Sequence, residues 1–276
     1  MGILFETGKN KALYLESIIL KKQMGMSSDS IVIIPTYNEK ENIELIIKAV
    51  FNLPKAFHIL IVDDGSPDGT GTIVKSLQKE YTQSLHLLER SGKLGLGTAY
   101  IAGFHWALKN GYDFVFEMDA DFSHNPKDLM HLYHACAVDG ADLSIGSRYV
   151  NNVVNVVNWP IGRVLMSYFA SYYVRLVTGM KIFDTTAGFK CYRREVLETL
   201  EMDNIRFKGY AFQIEMKFTA WKCGFTIKEV PIVFSNRELG TSKMNGGIFN
   251  EAVFGVIKMT MRSWSRKFPQ KKSFAA

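Results

Sequence analysis

Short β-branched runs alternate along most of this chain with longer stretches whose apolar residues fall three and four apart. Ile31 to Ile34 is a β-branched run closed by Pro35, which has the length and composition of a buried strand. Behind it, Ile43, Ile46, Ile47, Val50 and Phe51 recur at helical spacing. The unit then repeats. His58 to Val62 predicts a second strand, and Ser66-Pro67, a cap residue followed by proline at the first helical position, predicts the start of a helix. A third strand, Leu85 to Leu88, passes through Gly92-Lys93-Leu94-Gly95-Leu96-Gly97 into a helix ending near Asn110-Gly111. The fourth strand opens the stretch Phe114 to Asn125, FVFEMDADFSHN. A helix from about Pro126 and a fifth strand, Asp142 to Ile145, follow, and the strand breaks at Gly146-Ser147-Arg148. Strands and helices alternating at these lengths predict an α/β fold with a mainly parallel sheet and helices on both faces.

After residue 150 the pattern changes. Residues 160–179, PIGRVLMSYFASYYVRLVTG, are aromatic and bulky, with only Arg163 and Arg175 charged. Arg163 and Ser167 are four apart and share a helix face. Such a helix either lies in a membrane interface, with arginine at headgroup level, or packs in the core. Residues 247–268 carry Lys258, Arg262, Arg266 and Lys267 beside Trp264 and Phe268. That mixture fits an anionic membrane surface or a solvated cationic helix end. Residues 1–25 are either a short amphipathic extension or an upstream, misassigned start without structure.

Composition adds limits. With 276 residues and 47% apolar content, the chain can bury a full α/β core as one domain, alone or with an appendage. A net charge of +6 and a pI near 9.0 favour phosphorylated substrates or an anionic membrane. No zinc-finger, homeodomain or RNA-recognition signature is present, so nucleic acid is not expected as a partner. Cys136, Cys191 and Cys223 form neither a metal spacing nor a disulfide framework and point to a reducing cytoplasm. No apolar run reaches the roughly 18 residues of a transmembrane helix.

Candidate chemistry starts at Asp119 and Asp121, which would leave the fourth strand where open α/β sheets bind ligands. Oxygen-only donors suit Mg2+ or Mn2+ on a diphosphate, although an aspartate pair after a strand is also an ordinary cap or solvated turn. The glycine-rich turn fits neither common phosphate motif. Lys93 is followed by Leu94 rather than Ser or Thr, and Tyr100 stands where the dinucleotide fingerprint needs glycine. His105, His131 and His134 fall on predicted helices, and Glu215 is the remaining candidate for a base.

Five segments in this order and spacing carry a resemblance: Pro35-Thr36-Tyr37-Asn38-Glu39, Val62 through Thr70, Asp119-Ala120-Asp121, Gly146-Ser147-Arg148-Tyr149, and Arg237 through Ser242-Lys243. Over about residues 30–245 the chain resembles the family 2 inverting glycosyltransferases of the GT-A (Rossmann-like) fold, and among them the dolichol- and polyprenol-phosphate mannose synthases. The resemblance implies an N-terminal extension over residues 1–28, a catalytic domain over 29–245 and an amphipathic basic helix and tail over 246–276, with interfacial helices in the C-terminal half. It implies that Pro35, Tyr37, Glu39, Val62, Asp64, Asp119, Ala120, Asp121, Arg148, Arg237 and Lys243 bind the nucleotide sugar. Asp119 and Asp121 hold the metal, and Arg148, Arg163 and Ser167 hold the acceptor phosphate. Asp121, Arg148, Arg237 and Lys243 are the residues implied to drive the reaction. Ser123 stands where some relatives carry a glutamine ligand.

The activity implied is transfer of mannose from GDP-mannose to a polyprenyl or dolichyl phosphate, peripherally at the cytoplasmic face of a membrane, alone or with a membrane-anchoring partner subunit. A UDP-hexose donor, a non-catalytic subunit of the same fold and a membrane-binding module are the alternatives.

Overall fold

The computed structural model describes residues 28–150, 153–209, 211–236 and 248–271. Residues 1–27 of the expected extension, and both Arg237 and Lys243, lie outside the described residues. The first half is a regular alternation: β1 (Ser30–Thr36), α1 (Ile43–Phe51), β2 (His58–Asp63), α2 (Thr70–Leu77), β3 (Leu85–Glu89), α3 (Leu96–Lys109), β4 (Phe114–Glu117), α4 (Asp128–Ala137) and β5 (Leu143–Ser147). The second half is less regular. It comprises β6 (Tyr149–Val150), β7 (Val153–Val154), β8 (Val156–Val157), α5 (Ile161–Thr178), β9 (Lys190–Arg193), α6 (Arg194–Thr199), α7 (Phe212–Lys222), β10 (Ile227–Pro231), β11 (Phe234–Ser235) and α8 (Ile248–Ser263).

Seven strands form the central sheet in the order β10-β5-β9-β4-β1-β2-β3. All pairs are parallel except those of β9, which runs antiparallel between β4 and β5. Successive residues of β1 alternate between two cores: Ile31 and Ile33 pack with Tyr100, Phe104 and Phe212, whereas Val32 and Ile34 pack with Ile43, Val74 and Leu129. A sheet covered on both faces requires continuous apolar strands, which is why Ile31 to Ile34 shows no polar alternation.

Several expected boundaries shift, among them the end of β5, which continues through Gly146 to Ser147 instead of breaking there. Strand β1 does not stop before Pro35; it pairs Pro35 with Val62 and Thr36 with Asp63. The Ile33 carbonyl accepts from Met118 on the β4 side, and the register with β4 ends at Ile33. The missing N–H of Pro35 therefore faces a side where no partner strand remains, and proline is tolerated there. The helix expected at Ser66-Pro67 begins instead at Thr70. Asp63 explains the delay, since its carboxylate accepts from both the Ser66 amide (2.9 Å) and hydroxyl (2.6 Å), which holds Ser66 in the turn. Gly69, in a left-handed backbone, is the N-cap, and Asp68 before it accepts from the Thr70 amide at 3.0 Å and hydroxyl at 2.6 Å.

Helix α5 packs on the core along one side only and leaves an apolar side exposed. Ile161, Leu165, Tyr168, Phe169, Tyr172 and Leu176 form one exposed stripe, with Ile161 74% and Leu176 73% exposed. Ser171, Val174 and Thr178 are buried on the opposite side. The Tyr173 hydroxyl donates to the Val253 carbonyl of α8 at 2.8 Å. Phe254 and Trp264, at and just beyond α8, add exposed apolar surface. Among the described residues no helix is long and apolar enough to cross a membrane.

At the amino end of β2, the His58 Nδ1 meets the Tyr112 hydroxyl at 2.6 Å. Burial, with His86 and Lys55 nearby, pulls the His58 imidazole down to about 4. An unfolded histidine takes up a proton at about pH 6.5, whereas the folded one resists until about pH 4, so the unfolded chain binds more protons in between. Stability should therefore fall as pH drops through that window. Urea midpoints measured at about pH 7 and about pH 5 should differ less in His58→Gln than in the wild type.

Candidate active site at the carboxyl ends of the strands

Strands β1, β2, β4 and β5 are parallel, so their carboxyl ends bring Tyr37 and Glu39, Asp64, Asp119 with Asp121, and Arg148 to one edge of the sheet. The β1 and β2 ends are tied by the Thr36 hydroxyl donating to Asp63 at 2.8 Å and by the Asp64 amide donating to the Thr36 carbonyl at 2.9 Å. Glu39 is buried and accepts from the Asn42 side chain at 2.9 Å, while its amide donates to the Thr70 hydroxyl at 3.0 Å. The ammonium of Lys93 sits 5.3 Å from the centre of the Tyr37 ring, so the glycine-rich turn borders the site. Its geometry depends on Gly97, where a Cβ would stand 2.7 Å from the Phe212 ring and 2.8 Å from the Phe207 carbonyl.

Asp64 is held by Arg90, whose Nε lies 3.0 Å from the carboxylate with both side chains nearly buried. Burial raises the Asp64 pKa, and the Arg90 charge offsets only part of that. Arg90 also donates to the Thr98 hydroxyl at 2.8 Å. Sequence reasoning missed Arg90; its position directly after β3 was the available signal. Val62 and Ala120, both expected at the nucleotide, have buried side chains in the two cores. Only their main chain is available to a ligand.

The chain turns tightly where it leaves β4. Phe122 takes a left-handed backbone, φ 58°, which a bulky residue adopts only when its surroundings impose it. The Ser123 amide donates to Asp121 at 3.1 Å across this turn. Asp119 accepts from the buried Tyr100 hydroxyl at 3.4 Å. Below the turn, the wholly buried Glu117 accepts from Tyr192 (2.8 Å) and Gln213 (2.7 Å) and pairs with Lys190 at 3.0 Å. Lys190 also donates to Gln213.

The donor set fits a hard divalent cation. Asp119 and Asp121 offer carboxylate oxygens, and the Ser123 hydroxyl is buried without a hydrogen-bond partner, so a third oxygen is available beside them. Among the described residues no group of three His, Cys, Asp or Glu forms a closed metal cage. An ion here would keep positions for water and phosphate oxygens.

His124 follows directly and was not singled out by the sequence reading. Its ring stacks on Phe189 (4.9 Å) and meets Phe234 edge-on (5.1 Å), and its buried Nδ1 has no partner. Burial lowers its pKa to about 4 against the opposing pull of Asp121, which keeps the imidazole neutral. The backbone here joins two other segments, since the Ser235 amide donates to the Ser123 carbonyl (3.1 Å) and the Phe234 amide to the Asn155 carbonyl (3.0 Å).

Arg148 is buried and firmly positioned. Its Nε and Nη2 donate to the two Asp184 oxygens at 2.7 Å each, and Nη2 also donates to Thr186 at 2.7 Å. The rings of Tyr149, Trp159 and Phe234 lie 5.3–5.6 Å from its guanidinium carbon. Burial would raise the Asp184 pKa, but the Arg148 charge and hydrogen bonds outweigh it, and the carboxyl stays below its usual range. The Asp184 amide is anchored in turn by Glu229 of β10 at 2.8 Å. Neither Asp184 nor Glu229 was expected from sequence. Arg163 donates to Asn236 at 2.8 Å and stacks on Trp159 at 4.1 Å. The Ser167 hydroxyl is buried without a partner. Glu215 is not placed to act as a base: its carboxylate accepts from the Arg206 and Phe207 amides at 2.9 Å each and anchors that loop.

The model of the family described as Glycosyl transferase family 2 matches residues 31–201. The chain is 48% identical over 233 residues to a polyprenol monophosphomannose synthase of Mycolicibacterium smegmatis, covering 84% of this chain and 87% of that protein. It is 46% identical over 228 residues to an undecaprenyl-phosphate mannosyltransferase of Micrococcus luteus, covering 83% and 92%. Among solved structures, glucosyl-3-phosphoglycerate synthase from Mycobacterium tuberculosis with Mn2+, UDP and glucosyl-3-phosphoglycerate superposes with a TM-score of 0.58 at 17% identity, over 86% of this chain and 81% of that one. A mannosyltransferase from Pyrobaculum calidifontis in complex with GDP-Man and Mn2+ gives 0.55 at 18% identity, over 93% and 72%. These structural likenesses identify the fold as that of the GT-A glycosyltransferases.

Proposed function

This chain belongs to glycosyl transferase family 2, and from that premise we propose that it transfers mannose from GDP-mannose to a polyprenyl monophosphate, releasing GDP and a β-linked lipid phosphate mannose. The observation that carries this reading is the shared carboxyl edge of the sheet: Asp64 after β2, the Asp119/Asp121 pair after β4 and the buried Arg148 after β5 follow one another across it, with β1 and the antiparallel β9 between them, in the order nucleoside, diphosphate, acceptor phosphate. The names of the two relatives support both the sugar and the lipid acceptor.

Each residue has a distinct task in this reading. Tyr37 packs on the base, and Asp64, fixed by Arg90, accepts from the guanine ring N–H and amino group. Pro35, Glu39 and the main chain at Val62 and Ala120 shape the nucleoside side. Asp119 and Asp121 would hold Mg2+ or Mn2+, which when bound neutralises charge on the donor diphosphate. Arg237 and Lys243 remain the residues assigned to the leaving diphosphate, where cationic donors stabilise the charge that develops. Arg148, Arg163 and Ser167 orient the acceptor phosphate against the anomeric carbon. A phosphate monoester is already anionic at neutral pH, so its oxygen attacks without a general base. The new O–C1 bond forms as the C1–O bond to the diphosphate breaks, and single displacement turns the α-linked donor into a β-linked product.

The exposed apolar stripe of α5, with Phe254 and Trp264 and the nearby cations Lys258 and Arg262, suits peripheral binding at the cytoplasmic face of a membrane. The lipid carrier can be met there directly or through an anchoring partner subunit.

Heat protection separates the donors. In the presence of Mn2+, GDP should raise the melting temperature and UDP should not, because a ligand stabilises only the state that binds it. Equal protection by both would remove the guanine assignment of Asp64.

A further inference from the structure

Trp159 lies between the two arginines assigned to the acceptor phosphate, yet its own polar atom is unused. The indole nitrogen is buried and meets no hydrogen-bond acceptor among the described residues. Indole N–H is a donor only, and a buried donor without an acceptor carries a desolvation cost. Its neighbours cannot relieve that cost. Arg163 stacks 4.1 Å from the ring centre and Arg148 lies 5.6 Å away, and both are themselves donors only. Phe234 closes the edge at 5.2 Å.

The chain holds this ring deliberately in place. Asn158 adopts a left-handed backbone, φ 60°, a conformation asparagine takes more readily than other non-glycine residues. Asn236 fixes the turn: it donates to the Asn158 carbonyl and accepts from Arg163 Nη1. One side chain thereby fixes both the turn that presents Trp159 and the guanidinium stacked on it. Arg148 and Arg163 each keep an acceptor of their own, in Asp184 and Asn236, so the donor left over between two cations is the indole N–H, a setting that suits an anionic oxygen.

We propose that the indole N–H of Trp159 donates to the acceptor phosphate and, with Arg148 and Arg163, selects a phosphate monoester as the nucleophile. This inference rests on the acceptor assignment made above. Trp159 is then a binding residue that contacts substrate, and its ring also orders Arg163.

Steady-state kinetics of the full chain with GDP-mannose and a short polyprenyl phosphate test it, comparing the wild type with Trp159→Phe and Trp159→Ala. The phenylalanine variant keeps an aromatic face under Arg163 and removes only the N–H. It should raise the KM for polyprenyl phosphate roughly tenfold or more, the size of one hydrogen bond to a charged acceptor, while the KM for GDP-mannose stays within about twofold. If Trp159→Phe matches the wild type and only Trp159→Ala fails, the indole merely packs and the proposal is wrong. An equal rise in both KM values would also overturn it, as general distortion of the site. A wild type that makes no lipid product from polyprenyl phosphate would instead remove the acceptor reading beneath the proposal.

Discussion

Replacing Asp121 with Asn should lower transfer to polyprenyl phosphate by about 1,000-fold or more while leaving the melting temperature within a few degrees of the wild type. The rate effect follows from the charge, because a carboxamide of the same shape is a poor ligand for a hard cation and leaves the donor diphosphate under-neutralised. Loss of a single preorganised neutral donor in an active site typically costs about 100- to 1,000-fold, and loss of a charged ligand that also weakens the hold on the cation belongs at or beyond the upper end. The small thermal effect follows from the geometry, since asparagine can still accept the 3.1 Å hydrogen bond from the Ser123 amide that closes the turn. Initial rates at saturating GDP-mannose, paired with a thermal melt, check both halves. Normal turnover by Asp121→Asn would withdraw the assignment of the cation site.

Asp184→Ala should act in the opposite proportion, as a large loss of stability that carries activity with it. Asp184 is wholly buried and supplies both oxygens that hold Arg148. Removing it leaves a buried guanidinium without its counter-charge, for which about 3–5 kcal/mol is the usual cost. In a domain of this size that corresponds to a fall in melting temperature of roughly 10 °C. A double substitution distinguishes pairing from packing. Arg148→Met with Asp184→Leu removes both charges and should recover part of the lost stability, yet transfer should stay abolished if Arg148 holds the acceptor phosphate as proposed. Recovery of transfer along with stability would show that Arg148 serves the fold alone.

Much of this site was legible because the strands that build it are local and apolar. Ile31 to Ile34 and His58 to Val62 announce themselves, and the polar residues that end each run fall at the ligand edge by topology alone. Helix α5 was legible only as a choice, since its apolar stripe and its buried Ser171, Val174 and Thr178 are interleaved in one sequence. Strand β9 was not legible. Lys190 and Arg193 bound it, and Lys190 is buried only because Glu117 and Gln213 meet it from distant elements. The same holds for Arg90 and Asp184, whose roles arise from partners far along the chain or across the sheet. The start of α2 was misplaced for a local reason, because a serine before proline usually caps a helix, whereas here Asp63 engages Ser66 first.

The histidines illustrate the point from the other side. Those expected on helices are at the surface: His105 and His131 are more than half exposed. The one beside the site, His124, stands within FVFEMDADFSHN itself, where the two aspartates drew the chemical reading. Its ring packs the aspartate turn against Phe189 and Phe234.

The most direct measurement offers the purified chain a panel of labelled nucleotide sugars with Mn2+ and a short polyprenyl phosphate, and identifies the lipid product and its anomeric configuration by NMR. GDP-mannose should be the donor that gives product, yielding β-linked lipid phosphate mannose and one equivalent of GDP. An α-linked product, transfer from a UDP-hexose in preference to GDP-mannose, or release of free mannose without a lipid product would contradict the account.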